Sequence, residues 1–356
     1  MLRRLRSAPT PLLGIADAAL AGVLAVTGTM RRPATPRTMD RTITLRVTDR
    51  RIVARDHNVV ALTLAAPDGG ALPAWHPGAH LDIRLPSGRL RQYSLCGEPG
   101  LRNAYRIAVR RIPDGGGGSV EVHDTLDVGT AVTTSGPRNA FPLSVPGYGS
   151  PARRLRFIAG GIGITPILPM LSLAERLGVD WSMIYTGRTL ESIPFLDDVR
   201  RFGRRVTIRT DDADGLPTAD DLLGGCPSGT TVYVCGPPAL LSCVRDRLIG
   251  RDDVQLHFER FAAAPVIDGH TFAVTTSSGV YADVGADETL LAALQRAGVD
   301  PPYSCRQGFC GTCRTRVLDG AVEHRDTLLT DAERAAGMML TCVSRAPAGG
   351  HLTLDV

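Results

Sequence analysis

Four cysteines near the C-terminus have the spacing of an iron–sulfur site. Cys305, Cys310 and Cys313 lie in PYSCRQGFCGTC, a C-x4-C-x2-C pattern, and Cys342 follows in LTCVS. This is the plant-type arrangement for a 2Fe–2S cluster held by four thiolates. Structural zinc usually takes two paired Cys/His units, and only one pair is present here. Disulfides would need an oxidising compartment. We therefore predict a 2Fe–2S cluster on these four cysteines.

Two glycines in the same loop fit this chemistry. Gly308 and Gly311 separate the cysteines. A loop wrapped around a cluster needs unusual backbone angles, which glycine adopts without steric cost. Its amides can also point at the cluster sulfurs and tune the reduction potential.

The run Arg91-Gln92-Tyr93-Ser94 has the side chains that a flavin needs. Tyr93 could wall the ring, Ser94 could meet its polar edge, and Arg91 could pair with its phosphate. Arg91 and Tyr93 project to one side if the run is a strand. An ordinary strand with a surface arginine and a packed tyrosine is the alternative.

Two glycine-rich turns could bind phosphates. In IPDGGGGSV, amides of consecutive glycines could surround a phosphate, although a plain hairpin turn between barrel strands fits as well. In FIAGGIGITP, Gly160, Gly161 and Gly163 follow a strand, Thr165 can cap the next helix, and bare helix amides attract a pyrophosphate. A structural turn is the alternative for the second run.

Arg188 and Cys235 follow or end two further buried strands. Many NAD sites carry an acid where Arg188 stands, whereas an arginine there could hold a 2′-phosphate. Cys235 lies at the carboxyl end of its strand, where ligands bind in open α/β sheets. A solvated loop arginine and a core cysteine are the alternatives.

Three kinds of pattern follow one another along the chain. Short alternating strands rich in Val, Ile and Thr, separated by turn signals, predict a closed or nearly closed β-barrel after residue 41. Strands then alternate with helical stretches, which predicts a parallel α/β domain. The remainder predicts two strands, a helix, the cysteine loop and more strands.

The order R-x-Y-S, GGS, GGIGITP, CGPP and cluster cysteines resembles the phthalate dioxygenase reductase family, which includes vanillate O-demethylase reductases. The resemblance covers residues 41–356 and implies a multidomain α/β and all-β protein. It implies a ferredoxin-reductase-type flavin β-barrel, a parallel α/β NAD domain and a C-terminal β-grasp 2Fe–2S ferredoxin domain. The expected segments are an N-terminal extension 1–40, FMN barrel 41–147, NAD domain 148–262, linker 263–269 and ferredoxin domain 270–356.

The resemblance also implies roles for residues. Thr165 and Phe258 would approach the flavin, and Cys235 the nicotinamide. The implied FMN-binding residues are Arg91, Tyr93, Ser94, Ala108, Val109, Arg110, Gly117, Gly118 and Ser119, and the implied nucleotide-binding residues are Gly160, Gly161, Gly163, Arg188 and Gly236. Two departures stand out. The glycine loop has GGGG where an arginine is expected among the glycines, and the first 40 residues have no counterpart.

Electron counting orders the cofactors. A nicotinamide gives two electrons together as hydride, a 2Fe–2S cluster accepts one, and a flavin must lie between them. We expect an NADH-dependent oxidoreductase passing electrons from NADH to FMN, to the cluster and to a separate oxygenase. A Rieske non-haem iron oxygenase for aromatic hydroxylation or demethylation is expected. NADPH use, a haem monooxygenase partner, and a non-turnover redox-sensing module remain alternatives.

Composition excludes some classes. The net charge of +4 comes from dispersed arginines without a basic stripe, so nucleic acid is not an expected partner. The apolar run 11–28 is broken by Asp17 and is short for a spanning helix. We interpret it as an extension or docking helix, with membrane association or a signal as alternatives. A cytoplasmic monomer is expected.

Two further expectations concern single groups. His76 and His80 in WHPGAH are interpreted as structural. Arg306, Arg314 and Arg316 are expected to form a cationic collar at the electron exit, where they would attract an acidic patch on the acceptor.

Overall fold

The computed structural model describes residues 42–113, 117–145, 153–261, 266–303, 306–308, 311–326 and 328–356. The predicted extension 1–40, residues 263–265 of the predicted linker, Cys305 and Cys310 therefore lie outside the described residues. Residues 42–356 form one compact unit containing three sheets.

The first sheet is the predicted barrel. Its strands run in the order β4-β3-β6-β1-β2-β5, and a bridge between Leu95 and Ile107 joins the two ends. Inward residues such as Leu45, Leu62 and Leu81 are fully buried, as alternation along the strands predicts. The elements are β1 (Ile43–Ile52), β2 (Val59–Ala65), β3 (Ala79–Arg84), β4 (Leu90–Ser94), β5 (Tyr105–Arg110), α1 (Gly118–Thr125) and β6 (Ala131–Asn139).

One local prediction for this region needs correction. The GGGGSV run was expected as a turn between barrel strands, but its last glycine begins α1. Gly117 precedes that helix with φ of 75°, a left-handed angle that suits glycine. The run therefore opens a helix instead of a hairpin.

The second sheet is parallel, with the order β11-β10-β7-β8-β9. The strand order reverses between β7 and β10, which makes that position the switch point where ligands bind in such sheets. Strand β11 was not predicted because half its residues are polar and it lies at the edge. The elements are β7 (Arg154–Gly160), α2 (Ile164–Arg176), β8 (Asp180–Gly187), α3 (Leu196–Arg200), β9 (Val206–Thr210), α4 (Asp211–Asp214), α5 (Ala219–Leu223), β10 (Thr230–Cys235), α6 (Pro238–Leu248) and β11 (Val254–Glu259).

The third sheet has the order β13-β12-β16-β14-β15 and carries one main helix. Arg345 is fully buried there, and its guanidinium donates to the carbonyls of Glu288, His270 and Gly285 at 2.5–2.8 Å. The elements are β12 (Phe272–Thr276), β13 (Tyr281–Val284), α7 (Leu290–Arg296), β14 (Arg314–Asp319), α8 (Asp331–Ala335), β15 (Met338–Leu340) and β16 (His351–Leu354). Together the three sheets confirm the predicted fold class. Among the described residues, none of the helices combines the length and apolar character needed to cross a bilayer.

Candidate functional site

A pocket lies where the three sheets meet. The barrel, the end of β11 and the cysteine loop all contribute to its wall. The lining residues are His80, Leu90, Arg91, Gln92, Ser94, Ala140, Glu259, Arg260, Phe261, Tyr303, Arg306 and Gln307. The predicted flavin residues Arg91 and Ser94 are therefore in contact with the same space as the loop that carries the cluster motif.

Cations and helix amides meet at one end of β4. A Cβ on Gly118 would overlap the Arg91 side chain, and a Cβ on Gly117 would lie 3.6 Å from the Arg89 guanidinium. No side-chain hydrogen bond caps α1 within the described residues, so its first amides remain available to a ligand. Two guanidiniums beside an open helix N-terminus fit a phosphate. These features fit the phosphate-binding role expected of the glycine loop, although that loop has no arginine among its glycines.

Ser119, an implied FMN-binding residue, bonds to the backbone at the start of the glycine loop. Its hydroxyl accepts from the Ile112 amide at 3.1 Å and donates to the Ile112 carbonyl at 3.2 Å. These two bonds close the base of the loop. Ser119 thereby holds the glycines in place next to Arg89 and Arg91.

Tyr93 supplies an unsatisfied polar atom. Its hydroxyl is buried and has no hydrogen-bond partner among the described residues. Burial raises the pKa of Tyr93 well above its usual value, so the group is a neutral donor at physiological pH. Leaving such a hydroxyl unpaired costs about 1–3 kcal/mol, and a bound polar ligand would remove this cost. The observation fits a flavin on this strand.

The β5 residues divide between core and site. Ala108 and Val109 are buried in the barrel, and the Val109 carbonyl bonds the His123 ring at 2.9 Å. Arg110 is partly exposed, with its Nη1 atom 3.9 Å from the position that a Cβ on Gly161 would occupy. Arg110 thus reaches from the barrel toward the second glycine turn.

The second glycine turn is built by close backbone packing. A Cβ on Gly163 would overlap the Cys235 carbonyl oxygen, and a Cβ on Gly160 would lie 2.6 Å from Pro237 Cδ. Gly236 is constrained in the same way, because its Cβ would lie 2.7 Å from Leu240. The two predicted motifs therefore meet at the switch point, where β7 and β10 run side by side.

The role expected for Thr165 as a helix cap is wrong. Helix α2 begins at Ile164 with Gly163 as its N-cap, so Thr165 already lies inside the first turn. Its hydroxyl donates to the Ile162 carbonyl at 3.0 Å and the side chain is buried. The α2 amides have no side-chain cap among the described residues, and the N-terminus keeps its potential for a pyrophosphate.

A buried acid lies beside Cys235 and was missed at the sequence level. Glu259 ends β11 and pairs in register with Cys235 at the end of β10. Burial raises the pKa of Glu259 to about 8, and its Oε2 atom has no partner among the described residues. Burial, followed by the charge of Glu259, raises the pKa of Cys235, so its thiol stays protonated. In the sequence, the signal for this buried acid was the glutamate that ends a strand in HFERF.

Phe258 is less close to the pocket than its neighbours. Its half-buried ring packs against the apolar cluster beneath β10, with the guanidiniums of Arg245 and Arg260 at 5.7 and 5.5 Å from the ring centre. The next residues, Glu259 and Phe261, line the pocket instead. Phe261 is 52% exposed.

Arg188 is exposed just beyond β8. Its carbonyl accepts from the Asp212 amide at 3.1 Å, which joins it to the acidic helix α4. An arginine and carboxylates therefore stand together where the ribose end of a nucleotide would lie in such a sheet.

Two of the four predicted cluster ligands can be placed. Cys313 and Cys342 are both buried and belong to one apolar cluster with Tyr303 and Leu340. A pair of thiols brought together in a dry shell fits iron–sulfur ligation. Cys305 and Cys310, the other two predicted ligands, lie outside the described residues.

The glycine prediction for the cysteine loop is confirmed. Gly308 and Gly311 have φ of 80° and 75°. Side chains there would also approach Val343 Cγ2 to 2.7 Å and Leu328 Cδ2 to 2.8 Å. Glycine is required at both positions for angle and for space.

The expected arginine collar does not form as a unit. Arg306 lines the flavin pocket and stacks 4.4 Å over the Tyr303 ring, while Arg314 pairs with Glu333 at 3.0 Å. Of these three arginines, only Arg316 is exposed and makes no ion pair within the described part of the chain. The interpretation of His80 as structural also changes, because His80 lines the pocket and burial lowers its pKa to about 4.

Comparison with known proteins agrees with this geometry. Residues 274–347 match the family model of the 2Fe-2S iron-sulfur cluster binding domain. The chain is 41% identical over 316 residues to the vanillate O-demethylase oxidoreductase of Pseudomonas sp. (strain HR199 / DSM 7063), which covers 86% of this chain and 97% of the relative.

Two solved structures extend the comparison. Phthalate dioxygenase reductase, described as a modular structure for electron transfer from pyridine nucleotides to [2Fe-2S], superposes with a TM-score of 0.66 and 34% identity. It covers 88% of this chain and 98% of its own. An intact type IV self-sufficient cytochrome P450 monooxygenase gives a TM-score of 0.69 and 36% identity, covering 92% of this chain but 43% of its own. The chain thus spans less than half of that longer protein.

Proposed function

The chain belongs to the phthalate dioxygenase reductase family, and from this premise we propose that it transfers electrons from NADH through FMN and a 2Fe–2S cluster to a separate oxygenase. The pocket shared by the three sheets carries this proposal, because barrel, α/β sheet and cysteine loop all line it. When bound, the flavin accepts two electrons and one proton as a hydride and releases the electrons singly to the cluster and the proton to solvent.

The residues of the chain bind and orient. Arg89, Arg91 and the α1 amides hold the flavin phosphate, while Tyr93 and Ser94 meet the ring system. Glu259 and Cys235 stay protonated at neutral pH, so the end of the second sheet presents no net negative charge to a nicotinamide. Cys305, Cys310, Cys313 and Cys342 are the proposed iron ligands.

FMN is proposed over FAD because of the charge at α1. A terminal phosphate carries close to two negative charges, and the Arg91 side chain and the open helix end would meet it, whereas Arg89 beside them pairs with Glu121 at 3.2 Å. Chromatography of the flavin released from purified protein tests this assignment. FAD in the supernatant would reject it, and two irons per chain are expected in the same sample.

NADH is proposed as the preferred donor. The Asp212 amide in α4 donates to the Arg188 carbonyl, so the acidic helix α4 lies beside Arg188. Carboxylates at this position favour ribose hydroxyls over a 2′-phosphate. Comparing kcat/KM for NADH and NADPH tests this preference.

The terminal acceptor is proposed to be a Rieske non-haem iron oxygenase acting on an aromatic compound, as the vanillate relative suggests. A haem monooxygenase is a second candidate, since the self-sufficient P450 carries a similar segment. Oxygenases of both types, offered to the NADH-reduced protein, distinguish the two by their rates of reduction. We further propose a cytoplasmic monomer.

Turnover itself is tested with a small acceptor. Steady NADH oxidation with an artificial one-electron acceptor is expected of a reductase. A protein that binds both cofactors yet oxidises NADH no faster than free FMN would be a sensing module instead.

A further inference from the structure

A buried ion pair ties the barrel to the cysteine loop. Asp82 on β3 and Arg138 on β6 lie on paired strands and form a salt bridge, with the carboxylate only 5% exposed. Gln92 donates to the same carboxylate at 2.8 Å. Arg138 Nη2 also donates to the Tyr303 carbonyl oxygen at 3.3 Å. The guanidinium therefore connects a fixed barrel acid to the backbone two residues before the first motif cysteine.

A second tie holds the other side of that cysteine. Gln307 Nε2 donates to the Arg260 carbonyl at 3.1 Å, just after β11. Between the two ties, Arg306 has φ of 53° and stacks on Tyr303. Such an angle is uncommon outside glycine, so tertiary contacts hold it in place. Positions 303 and 307 are thus fixed to two different sheets.

Strand β4 adds an apolar contact between the barrel and the cysteine loop. Leu90 packs against the buried cluster that contains Tyr303, Cys313 and Cys342. The same strand carries Arg91 and Ser94, which line the pocket. A shift of the cysteine loop would therefore change both the pocket wall and the cluster shell.

We propose that Arg138, oriented by Asp82, is a positioning residue that sets the placement of the cysteine loop against the flavin pocket. Its role is to fix the approach between flavin and cluster, and so the rate of electron passage between them. The inference rests on the proposed function. A purely structural role would instead be confined to the barrel, where an unpaired Asp82 would be costly.

Two variants of the full-length holoenzyme separate these roles. In Arg138→Leu, cluster reduction after mixing with NADH is expected to slow by about 10–100-fold, the range that small misplacements cause. Flavin bleaching should keep its rate. The double variant, Asp82→Asn with Arg138→Leu, has no unpaired buried carboxylate but still lacks the hydrogen bond to the Tyr303 carbonyl. Its cluster reduction should therefore remain slow.

Hydrogen–deuterium exchange gives a readout independent of activity. Peptides covering residues 299–308 should exchange faster in both variants, while barrel peptides are unchanged. Arg46→Leu is the matched control, because it removes an arginine–carbonyl bond to Gly129 at 2.8 Å within the same barrel. It should leave cluster reduction and exchange at wild-type values.

The outcomes are distinct. Wild-type rates of cluster reduction and of exchange in the double variant would overturn the proposal, because they would show that the defects of Arg138→Leu come from the unpaired Asp82. Loss of FMN or slowed flavin bleaching in the double variant would equally overturn it, in favour of a barrel role. If the wild-type cluster is never reduced by NADH, the proposed function fails, while the exchange result still decides whether Arg138 positions the loop.

Discussion

The two glycine-rich turns look alike in sequence but solve different physical problems. At Gly117–Gly118 the neighbours are the long, flexible side chains of Arg89 and Arg91. At Gly160–Gly163 the neighbours are the backbone and ring atoms of Cys235–Pro237. The first turn places arginine side chains at an open helix end. The second turn lets the loops that follow β7 and β10 pack in direct contact. Glycine at the first should matter for binding, and glycine at the second for folding.

The largest effect is expected from Gly163→Ala. Its methyl group would overlap the Cys235 carbonyl oxygen, which cannot move without shifting β10. Overpacking against backbone should lower the free energy of unfolding by about 3 kcal/mol or more. Urea unfolding followed by circular dichroism measures it.

Gly100→Ala is the matched control for this substitution. A Cβ at Gly100 would have no atom within 4 Å, so its effect should stay within about 0.5 kcal/mol. A Gly163→Ala protein as stable as the control would show that the second turn is not built by close approach.

The Glu259→Gln variant tests the buried acid beside the second glycine turn. The first turn has arginine side chains beside it instead. Burial raises the pKa of Glu259 to about 8, so the folded state holds its proton more tightly than the unfolded state. The contribution of Glu259 to stability is therefore fully present below pH 4.5 and is lost as pH rises to about 8. The slope should approach about 1.4 kcal/mol per pH unit.

In the glutamine variant this contribution should disappear, because nothing titrates at that site, whereas the opposite slope from buried His80, whose pKa is lowered to about 4, should remain. Urea unfolding of both proteins across the same pH range gives the comparison. Equal slopes would mean that Glu259 is ionised in the folded protein and that water reaches it. The second turn would then be as polar as the first.

A smaller effect is expected from Arg91→Gln at the first turn. Loss of one charge-assisted contact to phosphate should weaken FMN binding by about 10- to 150-fold, since such bonds contribute about 1.5–3 kcal/mol. Stability of the flavin-free protein should change little. Fluorescence titration of apoprotein with FMN measures the dissociation constant.

Riboflavin provides the control for that titration because it lacks the phosphate. Wild-type and Arg91→Gln proteins should bind riboflavin equally. If the variant loses affinity for both ligands to the same extent, Arg91 contacts the ring and the phosphate cradle lies elsewhere.

These regions also show what could be predicted from the sequence. Strand alternation and motif order sufficed for the barrel, the parallel sheet and the left-handed glycines of the cysteine loop. Helix α1 was missed because its start, GGGGSV, carries a turn signal and no apolar periodicity. Glu259 was missed because its role depends on the register between β10 and β11. Arg306 was misplaced because only tertiary contacts turn it toward Tyr303.

The smallest effect concerns Arg188, the exposed arginine beyond the second turn. At the first turn two arginines flank an open helix end. Arg188 instead stands in solvent beside the acids of α4. An exposed charge pair contributes about 1 kcal/mol at most, so Arg188→Gln should raise the NADH-to-NADPH ratio of kcat/KM by about fivefold. Use of NADH should be unchanged, because NADH has no 2′-phosphate for Arg188 to contact. Arg204→Gln, at an exposed arginine at the opposite, amino end of the parallel strands, should leave the ratio unaltered. A wild-type preference for NADPH would reject the NADH proposal, and an equal loss of kcat/KM for both nucleotides in Arg188→Gln would mean that Arg188 binds a group common to both. The second turn would then depend on cation binding as the first does, and the contrast between the two turns would be lost.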